Sequence, residues 1–138
     1  MSGSAAGAPG DVAEYQIVDG GITAPLTDQP GDPDAGREAF IDRDGGHCLL
    51  CHAVSSLDEP FQGTLGPDLS DFGSRMDLAE TRLRLVDATE LNPETVMPAY
   101  HRTRGLRQVQ TMFQGKPVLS AQAVENILSY LTTLKTED

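Results

Sequence analysis

The run Cys48-Leu49-Leu50-Cys51-His52 spaces two thiols by two residues and follows them at once with an imidazole. That is the pattern of covalent c-type haem attachment. One helical turn sets both sulfurs beneath the vinyl groups along one porphyrin edge, and the next side chain swings under the iron. Two thioether bonds then hold the cofactor, and the imidazole supplies the proximal ligand. Other uses of a Cys-x-x-Cys pair need partners found elsewhere in the chain. A four-ligand zinc site draws on a second Cys or His pair. Cys48 and Cys51 are the only cysteines, and the remaining histidines, His47 and His101, lack the spacing of such a pair. A thioredoxin-like dithiol sits in a βαβ pattern, which this sequence does not carry. The expected cofactor is one haem c, bound through Cys48 and Cys51 with His52 on the iron.

Composition agrees with a cofactor-centred core. A length of 138 residues sets one domain as the prior. Hydrophobic residues make up 38% and aromatics 5%, with no Trp, which is a thin core for that length. A buried porphyrin supplies apolar volume of the kind small domains often need. The formal charge of −11 argues against nucleic acid or an anionic membrane as partner, and suits steered docking to a complementary protein. No apolar stretch approaches the length of a transmembrane helix. The opening Met1-Ser2-Gly3-Ser4-Ala5-Ala6-Gly7 has no basic and apolar leader pattern. Covalent haem attachment belongs outside the bacterial cytoplasmic membrane, so the expected location is the periplasm, with the signal peptide absent from this sequence.

Residues 1–32 read as an extended N-terminal arm and 33–138 as the folded domain. The Gly/Ala/Ser-rich start is expected to be disordered. Tyr15-Gln16-Ile17-Val18 is strand-like, followed by turn signals at Asp19-Gly20-Gly21 and Gln29-Pro30-Gly31. The arm holds too few apolar residues for a core of its own, so it must lie along the body or along a partner. From Asp32 the pattern becomes helical. Asp32 as N-cap and Pro33 at the first helical position predict a helix through Ile41 that stops near Gly45-Gly46. A middle helix is expected over 77–87, with Leu78, Leu85 and Val86 as its apolar contacts and Leu83 off the stripe. The last helix is the clearest. Ser120 caps it, Leu119 can staple onto Val124, and Val124, Ile127, Leu128, Leu131 and Leu134 line one face.

A c-type haem with this helix order resembles the class I cytochrome c fold, mainly α, in which the first and last helices cross in contact. Gly36 and Phe40 on the first helix match that crossing with Tyr130 and Leu131 on the last. The distal iron ligand is Met, His or nothing. Met76 lies just ahead of a helix, and Met112 sits in a run where packing suffices. Met97 is bracketed by breakers in Asn92-Pro93-Glu94-Thr95-Val96-Met97-Pro98, and Pro98 keeps it out of the helical region. Met97 is the favoured ligand, with His101 and an open site as alternatives. Gly66-Pro67-Asp68-Leu69 is similar to the Gly-Pro-x-Leu loop of class I cytochromes. There the proline carbonyl accepts a hydrogen bond from the proximal imidazole, a role that falls here to Pro67. Charge is uneven: residues 95–124 contain no acidic side chain but include Arg102, Arg104, Arg107 and Lys116. They read either as solvated surface or as partners for an anionic group near the haem edge.

Nearly the whole folded part, from about Tyr15 to Lys135, resembles SoxX, the small monohaem subunit of the SoxAX cytochrome complex of thiosulfate oxidation. The landmarks are Tyr15-Gln16-Ile17-Val18-Asp19-Gly20, Pro25-Leu26-Thr27, Gly31-Asp32-Pro33, the pentad with Ala53, Phe61-Gln62-Gly63, Gly66-Pro67-Asp68-Leu69, Asn92 through Tyr100, and Gly115-Lys116-Pro117-Val118-Leu119. The resemblance implies an electron-transfer subunit with no catalytic residue of its own. Its complex, a heterodimeric L-cysteine S-thiosulfotransferase, would join thiosulfate oxidatively to a cysteine of the SoxYZ carrier protein on a SoxA-like subunit. Electrons would then pass through the His52/Met97 haem iron to a small soluble cytochrome c. The alternative is a free-standing class I cytochrome c shuttle.

Overall fold

The computed structural model describes residues 15–42, 47–59, 62–97, 99–101 and 119–135. Three α-helices carry the architecture: α1 (Pro33–Ile41), α2 (Leu78–Asp87) and α3 (Ala121–Thr132). Short 3-10 turns at Cys48–Leu50, Phe72–Ser74 and Ala88–Glu90 punctuate the connections. No strand forms among the described residues. The strand-like run ends in a single antiparallel bridge between Val18 and Gly21, because Asp19 and Gly20 turn left-handed at φ 52° and 78° and reverse the chain at once.

Each helix starts where a short polar side chain satisfies its free N–H groups. Asp32 accepts from the Asp34 and Ala35 amides at 2.9 and 3.4 Å, Asp77 from Glu80 at 2.9 Å, and Ser120 from Ala123 at 3.1 Å. α1 crosses α3 at Gly36. A Cβ there would overlap the Asn126 carbonyl oxygen and lie 2.9 Å from the Tyr130 Cβ, so only glycine allows the backbones this close. Phe40 and Tyr130 complete the crossing edge to face, with ring centroids 5.5 Å apart. Val124, Ile127, Leu128 and Leu131 of α3, with Leu134 just beyond it, are buried. At roughly 1.5–3 kcal/mol for each large apolar side chain removed from water, this face dominates the core.

α2 differs from the expected stripe. Leu78 is 45% exposed, while Leu83 is buried with Ile22 and Val86 in a second, smaller cluster. The arm explains the difference: it covers a side of α2 that would otherwise meet water. The Ile22 amide donates to the Ala79 carbonyl at 2.9 Å. Arg82 and Glu125, on α2 and α3, fasten the arm between them. Arg82 forms a bidentate pair with Glu125, Nε to Oε2 at 2.8 Å and Nη2 to Oε1 at 3.0 Å, with both side chains more than nine-tenths buried. Its Nη1 donates to the Ile22 carbonyl at 2.8 Å, and Glu125 Oε2 accepts from the Leu26 amide at 3.0 Å. Farther along, Asn126 accepts from the Asp32 amide at 2.9 Å, and Thr27 donates to Gln122 at 2.9 Å. From Ile22 onward the arm lies on its own chain, while Ile17 and Val18 at its tip remain exposed.

Candidate haem site

The pentad forms one tight turn. His47 enters it left-handed at φ 45°, Cys48–Leu50 is 3-10, and the His52 amide donates to the Cys48 carbonyl at 2.9 Å. Cys48 is buried, Cys51 half-buried, and both thiols are free. The following loop is stitched to this turn by three backbone bonds: Gly63 N to Leu49 O at 2.7 Å, Gly66 N to Cys51 O at 2.7 Å, and Leu69 N to Ala53 O at 2.9 Å. Running alongside the turn, it brings the Pro67 carbonyl to 2.8 Å from His52 Nδ1. A carbonyl only accepts, so Nδ1 carries the proton and donates. Gly66 lies flat against the imidazole. A Cβ at that position would collide with the ring, 2.7 Å from Nδ1 and closer still to Cε1.

Gln62 closes the intervening loop from inside. Its Oε1 accepts from the Val54 amide at 2.6 Å, and its Nε2 donates to the Leu57 and Glu59 carbonyls, each at 3.1 Å. The sequence reading quoted Gln62 only as part of a motif. A lone polar residue between loop landmarks signals nothing about the three backbone groups it will meet.

On the distal side, Asn92 Oδ1 accepts from the Glu94 amide and its carbonyl from Thr95, each at 3.0 Å. Thr95 Oγ1 then accepts from the Met97 amide at 3.1 Å. The Met97 side chain is half-buried against the core cluster that contains Cys48. Met76 packs against the same cluster, so burial does not separate the two. His101 is fully enclosed, with Nδ1 donating to the Leu119 carbonyl at 2.8 Å, and burial holds its pKa below the usual histidine range. Met112, Pro98, Phe61, Gly45-Gly46 and the basic 102–116 segment lie outside the described residues. Large apolar side chains are exposed beside each site segment: Leu50 within the pentad at 66%, Leu65 before Gly66 at 73%, and Val96 before Met97 at 75%.

These residues fit haem c better than a thiolate metal or redox centre. Burial pushes the Cys48 thiol up to about 12. A four-ligand zinc site would need further Cys or His donors beside the pair. Among the described residues no group of three or more His, Cys, Asp or Glu side chains is placed to hold a metal ion. With Nδ1 committed to Pro67, His52 offers Nε2 alone, which suits a single axial bond to iron. The same set can hold a one-electron centre and carries no nucleophile aligned with a base.

Comparison with protein-family profiles gives no match, and comparison with curated protein sequences gives none either. Among solved structures, the crystal structure of SoxXA from P. pantotrophus matches at 32% identity, over 91% of this chain and 99% of that one, with a TM-score of 0.82. The c-type cytochrome SorU from Sinorhizobium meliloti matches at 22% identity over 75% of this chain and 90% of that one, with a TM-score of 0.47.

Proposed function

This chain belongs to the SoxXA family of c-type cytochromes, and we propose that it is the SoxX-type, electron-relay subunit of a periplasmic SoxAX complex in thiosulfate oxidation. The observation that carries this reading is the 32% identity to a chain of SoxXA over 99% of that chain's length. On the SoxA-like partner, thiosulfate would join a cysteine thiolate of the SoxYZ carrier protein, forming an S–S bond and releasing two electrons. This chain would take them one at a time and hand them to a small soluble cytochrome c.

A single haem c, bound by Cys48 and Cys51, supplies the one-electron iron couple. The chain's own residues do the rest. His52 holds its ring plane through Pro67 and presents Nε2. Met97, on a loop fixed by Asn92 and Thr95, would offer its thioether to the iron, a ligand that would favour the ferrous state. Leu50, Leu65 and Val96, exposed beside the pentad, the Gly-Pro loop and Met97 in sequence, would offer apolar contacts to a partner protein. The net charge of −11 adds long-range steering.

The test is co-expression with the SoxA-like subunit followed by gel filtration. Stable interfaces bury on the order of 1,600 Å² in total, so the two chains should co-elute even at high salt, where charge-driven docking is screened. Separate elution at moderate salt would favour the second reading, a free-standing shuttle. That reading draws on one observation: from Ile22 onward the arm satisfies itself on its own chain.

A further inference from the structure

The segment that carries Met97 hangs from α2 at both ends. Leading in, the Leu91 and Asn92 amides donate to the carbonyl of Ala88, the C-cap of α2, at 3.0 and 2.9 Å. Leading out, Tyr100 and His101 donate their amides to the Leu85 and Val86 carbonyls at 3.2 and 3.1 Å. The last turn of α2 is therefore the frame of the distal loop. Where that turn sits, the loop sits with it.

α2 itself is shared between two apolar clusters. Leu85 lies in the large one, with Cys48, Leu49 and Tyr100. Leu83 and Val86 lie in the small one, whose third member is Ile22 of the arm. Tyr15, also of the arm, and Leu91, at the entrance to the distal loop, both pack against this small cluster. The arm and the distal loop thus meet in one packing unit, and its three central side chains are almost wholly removed from solvent. The proximal side is built differently. The bonds that stitch the pentad to the Gly-Pro loop all lie within 49–69 and include no residue of this unit.

We propose that Ile22 is a positioning residue for the distal ligand: through Leu91 and the last turn of α2, the arm holds the loop from which Met97 reaches the iron. The inference rests on Met97 being that ligand. Close-packed side chains transmit strain, and a void left in such a cluster is filled only in part by its neighbours. A void at Ile22 therefore lets Leu91 and the end of α2 shift, and the thioether loosens its hold. Whatever grips or releases the arm acts on the distal ligand without touching the haem. Ile22 isolates this effect better than Leu26, which packs against both clusters.

Ile22→Ala in the haem-loaded full chain empties the cluster and keeps the backbone bonds of residue 22 to Ala79 and Arg82. Imidazole titrated into the ferric protein competes with the Met97 thioether for iron, and loss of the Met–iron charge-transfer band reads the exchange. Its apparent affinity should rise by roughly two- to tenfold, within the coupling seen between residues that share packing partners. Leu91→Ala should give a similar rise, and the double variant less than the product of the two. Asp32→Ala removes the α1 cap and costs stability without touching the cluster, so it should leave the affinity unchanged. If Ile22→Ala does not fold, Ile22→Val should give a smaller rise of the same sign. An affinity unmoved in the Ile22 variants, or moved as far by Asp32→Ala, overturns the proposal, and so do effects of Ile22→Ala and Leu91→Ala that simply multiply. Absence of the band from the unsubstituted protein would instead remove Met97 as ligand, and the proposal with it.

Discussion

Met76 and Met97 pack against the same apolar cluster, and what separates them is the backbone that carries each side chain. Met97 follows a turn held by Asn92 and Thr95, whereas Met76 directly precedes the Asp77 cap of α2. Replacing Met97 with Ala should abolish the Met–iron band of the ferric protein and lower its midpoint potential, because the ligand that favours ferrous iron is gone. Met76→Leu, close in volume, should leave both unchanged. A visible and near-infrared spectrum with a redox titration decides between them. Loss of the band in the Met76 variant, with its retention in the Met97 variant, would exchange their roles. At this scale the bond from His52 to the Pro67 carbonyl was legible, because the pentad and the Gly-Pro loop are each patterns of consecutive residues. Gln62 was not, since its partners are backbone groups of Val54, Leu57 and Glu59, which no side-chain pattern marks.

At the scale of elements, the Arg82–Glu125 pair joins α2, α3 and the arm in one buried network. Breaking a buried pair from one side strands a charge in a poor solvent, at a cost of about 3–5 kcal/mol, while replacing both members with apolar groups is often neutral. Glu125→Gln should therefore lower the unfolding free energy of the haem-loaded protein by that amount, and Arg82→Met with Glu125→Leu should recover most of it. Denaturant melts of the single and double variants check this. A cost below about 1 kcal/mol for Glu125→Gln would show that water reaches the pair. The caps at Asp32 and Ser120 and the apolar face of α3 were readable because helix starts and helical stripes are local patterns. The ion pair spans 43 residues of sequence and exists only once α2 and α3 are set side by side. The same distance effect misassigned Leu78 and Leu83: the arm that buries Leu83 cannot be seen in the helix's own periodicity. The strand-like Tyr15–Val18 run failed differently, since a strand needs a neighbour and the left-handed turn at Asp19-Gly20 allows it a single bridge.

For the whole molecule, the three helices, the stitched loop over 63–69 and the latched arm form a scaffold that leaves Leu50, Leu65 and Val96 exposed next in sequence to the pentad, the Gly-Pro loop and Met97. On the proposed reading this molecule is a relay for electrons that a partner subunit releases. The account therefore stands on whether electrons from thiosulfate reach this chain only through a partner. The direct measurement is anaerobic stopped-flow absorbance of this chain's haem, oxidised beforehand, after mixing with thiosulfate and the reduced carrier protein. Assembled with the SoxA-like subunit, the haem should reduce in a phase that needs both thiosulfate and the carrier, and alone it should stay oxidised. Equal reduction of the isolated chain, or no reduction in the assembled complex, would contradict the relay.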